Sequence, residues 1–165
     1  MKYCIVGCGA MGSAIAKGLT KLEGISDSCI LLYDADQTKC AAVSSQLGAQ
    51  HCSSLGEAIG LADTVILAVK PHIVNSVLSE LKPIIKGSVL VVSIAAGITL
   101  GSLENGLPQN QPVVRVMPNV GLQVGKGASA FSLGSSANSE HAETVSRIFG
   151  GENVCVQVEE RLMNA

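Results

Sequence analysis

Apolar runs rich in β-branched residues alternate along the chain with segments in which apolar positions recur every three to four residues. The runs predict strands over Tyr3 to Val6, Cys29 to Tyr33, Ala49 to Cys52, Thr64 to Val69, Ser88 to Ile94 and Val113 to Met117. The helical period predicts helices over Ala10 to Leu22, Asp36 to Leu47, Leu55 to Leu61, Ile73 to Leu81, Leu100 to Glu104 and Ser139 to Phe149. Several strand segments carry no polar residue on either face, as strands covered on both sides should. Strands that alternate with helices imply parallel pairing through crossover helices, and the right-handed rule winds those helices onto both faces of the sheet. The expected fold class is α/β, a doubly wound, mostly parallel sheet of strand order 3-2-1-4-5-6. After Asn119 glycines punctuate the pattern at 121, 125, 127 and 134, and extra strands are expected over Ala128 to Leu133 and Asn153 to Val158.

Length adds that one domain accounts for the 165 residues. A chain of this size buries about 70% of its extended surface, so it needs neither disulfide nor metal to hold a core. Apolar residues make up 47% and charged residues 15%, which excludes a disordered chain. A net charge of −2, with two Tyr, two Phe and no Trp, gives neither a basic footprint for phosphates nor rings to stack bases, so nucleic acid is not an expected partner. Residues 87–103 carry no charge, but Gly87, Ser88, Ser93, Gly97, Thr99, Gly101 and Ser102 interrupt them and the run is short of a bilayer span. The first 16 residues mimic a signal peptide until Gly7, Gly9 and Gly12 break the apolar run. A soluble, cytoplasmic protein with no membrane partner is expected. The six cysteines form no C-x-x-C pair and lie far from any zinc-finger histidine spacing, so reduced, mostly buried thiols and no metal site are expected.

The strongest local signal is Gly7-Cys8-Gly9-Ala10-Met11-Gly12, a G-x-G-x-x-G directly after the first strand and opening the first helix. In that context the first glycine permits the tight turn, the second lets the backbone approach a pyrophosphate, and the third lets helix and strand pack closely. The free N–H groups and positive end of the helix then face the phosphate charge. Asp34, at the end of the second strand and 22 residues beyond Gly12, is placed to accept hydrogen bonds from the adenosine ribose and to repel a 2′-phosphate. A solvated turn aspartate is the alternative, and Asp36 is the better helix cap. Together these make the expected fold a Rossmann-type dinucleotide-binding domain. Ala68-Val69-Lys70-Pro71 falls at the carboxyl end of the fourth strand, where open α/β sheets bind ligands; Pro71 is expected to stop the strand, and Lys70 to set charge or backbone near a ribose or phosphate. Ala95-Ala96-Gly97 are small, as a flat ring against the backbone or a close helix packing would each require. Arg115-Val116-Met117-Pro118-Asn119 closes the sixth strand, with Asn119 able to donate and accept. Cys8 has two readings, a thiol activated beside a helix amino terminus or a small side chain turned into the core. His51, His72 and His141 carry no catalytic pattern, and no Ser/His/Asp, Cys/His or paired-carboxylate constellation stands out, so no catalytic residue is assigned.

Four motifs in order, I-V-G-C-G-A-M-G-S-A-I at 5–15, A-V-K-P at 68–71, S-I-A-A-G-I at 93–98 and R-V-M-P-N at 115–119 with Gly121 and G-K-G at 125–127, resemble the amino-terminal domain of pyrroline-5-carboxylate reductases. The resemblance implies reduction of the ring C=N of pyrroline-5-carboxylate by NADPH or NADH, giving proline. It places Gly7 to Gly12 on the pyrophosphate, and Ala95, Ala96, Gly97 and Asn119 beside the nicotinamide. It further implies an all-helical carboxyl-terminal domain that forms an interlocked homodimer or higher oligomer and holds the substrate carboxylate. On that basis residues 1–158 are expected to be the cofactor domain and 159–165 the start of the helical one, frayed, with Leu162 and Met163 exposed. Two positions depart from the family pattern. NADPH-preferring relatives tend to carry Asn or Ser and then Arg where this chain has Asp34 and Ala35, and many carry Asn where it has Leu55; NADH is therefore the expected preference, with NADPH the alternative. The competing functional readings are another dehydrogenase sharing the domain and a stand-alone NAD(H)-sensing module.

Overall fold

The computed structural model describes residues 1–151 and 153–164, Asn164 by its backbone only. Its sheet has the order β3-β2-β1-β4-β5-β6-β7-β8. At the centre β1 (Tyr3–Val6) pairs in parallel with β2 (Ile30–Tyr33) and β4 (Thr64–Leu67), which explains why these strands carry almost no exposed side chains. Outward on one side lies the two-residue β3 (Gln50–His51). On the other, β5 (Leu90–Ser93) and β6 (Val113–Pro118) continue the parallel order. β7 (Ala128–Leu133) then turns back antiparallel to β6, and β8 (Val154–Gln157) runs parallel to β7 at the edge.

Alternation along each strand divides the core in two. Tyr3 and Ile5 point to the side covered by α1 (Ala10–Leu19), α2 (Gln37–Leu47) and α6 (Ser139–Phe149), where Ile15, Leu19, Cys40, Val145 and Phe149 are buried. Cys4 and Val6 point to the side covered by α3 (Leu55–Leu61), α4 (Pro71–Leu81) and α5 (Leu100–Gly106), among Ile59, Val74, Leu78, Leu81 and Leu103. Helix starts are fixed by side chains. Asp36 caps α2 by accepting from the Lys39 N–H at 3.1 Å, as expected for it. Ser54 and Thr99 do the same for α3 and α5. At α6 Asn138 and His141 cap each other's backbone, so this histidine serves structure.

Pro71 departs from its expected place. It begins α4 rather than ending a strand in a loop, because a proline fits the first helical position, where no N–H is needed. Cys29 belongs to a 3-10 turn, Asp27–Cys29, ahead of β2. The segment beyond β8 departs further. Leu162 is exposed as expected, but Met163 is only 2% exposed, and residues Glu160–Asn164 form a 3-10 turn held to the sheet instead of a frayed end. No helix among the described residues is long and apolar enough to cross a membrane.

Candidate functional site

The carboxyl ends of β1, β4, β5 and β6 open onto one edge of the sheet, and the glycine loop leaves β1 there. Gly7 has φ +105°, and a Cβ on it would lie 2.6 Å from the Ala68 carbonyl oxygen. A Cβ on Gly12 would lie 1.9 Å from the Gly7 carbonyl oxygen, so the loop and the first turn of α1 touch with no room for a side chain. Gly9 is the opposite case: a Cβ there meets nothing within 4 Å. It faces open space at the start of α1, whose first turn contains no acidic residue and whose cap makes no side-chain hydrogen bond. The leading N–H groups of such a helix have no intrahelical partner and present an anion-binding face.

Asp34 braces this loop. One carboxylate oxygen accepts the Cys8 N–H at 2.6 Å and the other accepts the Asp36 N–H at 2.9 Å, while Lys39 Nζ stands 3.9 Å away. Asp34 lines a cleft of about 390 Å³ together with Gly7, Gly9, Tyr33, Ala35, Lys39, Leu55, Ala68, Val69 and Lys70. Ile73, Ser76, Val77 and Glu80 complete it from α4. Burial raises the Tyr33 hydroxyl pKa above its ordinary value, and the Glu80 and Asp34 carboxylates push it the same way. A second cleft, about 630 Å³, adjoins it and shares Gly9, Ala68, Val69 and Lys70; Ala10, Met11, Pro71, Ala95, Ala96 and Gly97 also line it. Its remaining wall comes from Ile94, Arg115, Val116, Met117, Pro118 and Met163. The two clefts form one furrow across the sheet edge, with Gly9 at the shared waist. Asp34 lines one end of the furrow and Ala95 to Gly97 line the other.

Asn119 is not among the residues lining either cleft, and its Oδ1 accepts the Ala128 N–H at 3.1 Å, which closes the connection from β6 to β7. Cys8 has its backbone in the loop, but its side chain is 3% exposed against Cys40, and burial pushes the thiol pKa well up, with Cys40 adding to the rise. The structure favours the core-facing reading of Cys8. Among the described residues no group of His, Cys, Asp or Glu is placed to hold a metal ion.

Sequence reasoning passed over Tyr33, Ser76, Glu80 and Met163 as lining residues. Ile73, Ser76, Val77 and Glu80 share one helix face at spacings of three and four, a signal that was available. The placement of Met163 depends on contacts across the fold and left no local mark.

The family model described as NADP oxidoreductase coenzyme F420-dependent matches residues 2–97. The pyrroline-5-carboxylate reductase of Methanosarcina acetivorans is 36% identical over 164 residues, which cover 99% of this chain and 61% of that protein. The structure of the Coxiella burnetii pyrroline-5-carboxylate reductase superposes with a TM-score of 0.90 at 26% identity, covering 96% of this chain and 58% of that one. That of a Plasmodium falciparum pyrroline carboxylate reductase with NADP bound does so with a TM-score of 0.86 at 30% identity, covering 99% and 60%. The chain therefore spans about three fifths of the length of the relatives it matches.

Proposed function

The chain belongs to the family described as NADP oxidoreductase coenzyme F420-dependent, and on that premise we propose that it is the cofactor-binding part of a pyrroline-5-carboxylate reductase. The observation that carries the reading is the continuous furrow. Motifs from four separate stretches, 7–12, 68–71, 95–97 and 115–118, line it, and the unhindered Gly9 lies at its waist. The chemistry supplied there is a hydride delivered from a reduced nicotinamide to the ring C=N, giving proline. Substrate class and reaction come from the relatives named above.

Each part of the chain has a physical task in this scheme. Gly9 and the start of α1 take the pyrophosphate, because nothing on the chain fills that space and the helix end attracts negative charge. Asp34 keeps acceptor capacity beyond its two backbone bonds and orients the adenosine ribose. Ala95, Ala96 and Gly97 offer a low wall against which a flat ring can lie. None of these groups moves a proton. The task is to hold donor and acceptor carbons about 3 to 3.5 Å apart with faces aligned. Because Asp34 is followed by Ala35, with no arginine, NADH is the favoured cofactor. The remaining two fifths of the relatives' length is the natural place for substrate-carboxylate contacts and for a homo-oligomer interface, and the cytosol the natural compartment.

Oxidation of NADH with pyrroline-5-carboxylate tests this reading, run on the 165-residue chain and on a product carrying the remaining length found in the relatives. The short chain should bind NADH without turnover, and the longer one should oxidise it and form proline. Comparable turnover by the short chain would overturn the division of labour. Failure of the longer product to reduce the imine while binding NADH would remove the substrate assignment.

A further inference from the structure

We infer that Glu160 is a positioning residue for the ring end of the furrow, acting through one carboxylate oxygen that pins two of its walls together. The inference rests on the reading of the furrow as a dinucleotide site and concerns a residue outside every motif that carries that reading. Arg115 sits on β6 at the base of the larger cleft and is 2% exposed, an unusual place for a guanidinium. Its Nη1 donates to Glu160 Oε1 at 2.9 Å. The same oxygen accepts the Leu100 N–H at 2.7 Å, at the start of α5. Leu100 lies three residues beyond Gly97, at the end of the connection that contributes Ala95, Ala96 and Gly97 to the cleft, while Arg115 opens the segment that contributes Val116, Met117 and Pro118. Glu160 thus ties the β5–α5 wall to the β6 wall.

The tie has a second consequence. It anchors the 3-10 turn Glu160–Asn164, and this turn seats Met163, 2% exposed, in the lining of the same cleft. The tied residues are not among those that line the adenosine half. Asp34, Lys39, Tyr33 and Glu80 lie in the neighbouring cleft, which contains neither Arg115 nor Met163. A perturbation at Glu160 should therefore be felt by the ring and not by the rest of the cofactor.

The experiment compares NADH with ADP-ribose, which lacks the nicotinamide, on the wild-type chain, Glu160→Gln and Met163→Ala. Glutamine keeps an acceptor for Leu100 but removes the charge opposite Arg115; alanine at 163 keeps the tie and removes the wall it holds. Both variants should bind ADP-ribose within about twofold of wild type, yet weaken NADH by about fivefold and shift the fluorescence of the bound reduced nicotinamide toward its value in water. Equal losses for the two ligands in Glu160→Gln would show a general structural role and overturn the inference. So would wild-type NADH affinity and fluorescence in either variant. If Glu160→Gln does not fold, Met163→Ala carries the test alone. If the wild-type chain binds neither ligand, the dinucleotide reading falls, and this inference with it.

Discussion

Alanine at Gly9 and alanine at Gly12 are chemically the same change three residues apart, and the geometry predicts opposite outcomes. At Gly12 the new Cβ would lie 1.9 Å from the Gly7 carbonyl oxygen, 3.1 Å from its carbonyl carbon and 3.2 Å from the Ala68 Cβ. Two of these three atoms are backbone, so no side-chain rotation relieves the clash. Overpacking of this kind costs roughly 1–3 kcal/mol, and backbone contact puts it near 3, which lowers Tm by about 6–12 °C in a chain of this length. At Gly9 the Cβ meets nothing within 4 Å and the backbone, at φ −71° and ψ −175°, already suits alanine. Lost unfolded-state entropy favours the variant by about 0.4–1 kcal/mol and the poorer amino-terminal cap opposes it by about as much, so Tm should stay within about 2 °C. Binding should behave differently. A methyl group at Gly9 stands where the pyrophosphate must come, and losing one charge-assisted hydrogen bond costs about 1.5–3 kcal/mol, or ten- to a hundredfold in NADH affinity. Thermal unfolding and an NADH titration of both variants check the pair. Unchanged NADH affinity in Gly9→Ala would refute the argument, because the open space would then not be where the phosphates bind.

Cofactor choice follows from Asp34 and Ala35. NADH should bind more tightly than NADPH by about ten- to a hundredfold, since a 2′-phosphate would meet the Asp34 carboxylate, and of the two lysines lining that cleft Lys39 already stands 3.9 Å from Asp34. Asp34→Ser with Ala35→Arg should reverse the order, and tighter NADPH binding by the unaltered chain at equal ionic strength would defeat the claim. Alkylation followed by peptide mapping should label the half-buried Cys29 and Cys155 before Cys8, because burial disfavours the Cys8 thiolate; early labelling of Cys8 that NADH blocks would revive the reactive reading. Burial also pushes Cys52 up to about 11, with Glu57 adding to the rise. An unfolded thiol ionises near pH 8.5, so the folded state holds a proton that the unfolded state has lost. This thiol's contribution is accordingly full below about pH 8.5 and is lost as pH rises toward 11, at up to about 1.4 kcal/mol per pH unit. Cys52→Ala should flatten that part of the alkaline stability curve, and an unchanged slope would contradict the assignment.

The parallel half of the fold was legible because its signals are local. A strand without polar residues, a glycine turn and an amphipathic helix repeat in order, and crossover handedness then leaves few topologies. Boundaries slipped where local chemistry competes. The apolar run through Val69 reads as strand, yet pairing stops at Leu67 and Pro71 starts α4. Ser88 and Val89 read as strand but precede the β5 ladder, which begins at Leu90. The glycine loop was readable at Gly7 and Gly12, since both answer a backbone constraint, while Gly9 borders open space. The ring end was not readable. Arg115 and Glu160 are separated by 45 positions, and their ion pair depends on β7 turning back antiparallel to bring the end of the chain over β6. Asn119 carries a task the sequence did not show, since its Oδ1 accepts the Ala128 N–H and holds the β6 to β7 connection.

Backbone amide resonances followed through parallel titrations with NADH and ADP-ribose test the central claim most directly, because they locate each end of the cofactor on the chain. Both ligands should move the amides of Gly9 to Gly12 and Asp34, and only NADH should also move those of Ala95 to Gly97 and Val116 to Met117. Changes confined instead to the flank of α1, around Lys17, Lys21 and Gly125, where a separate cavity of about 280 Å³ lies, would contradict the account.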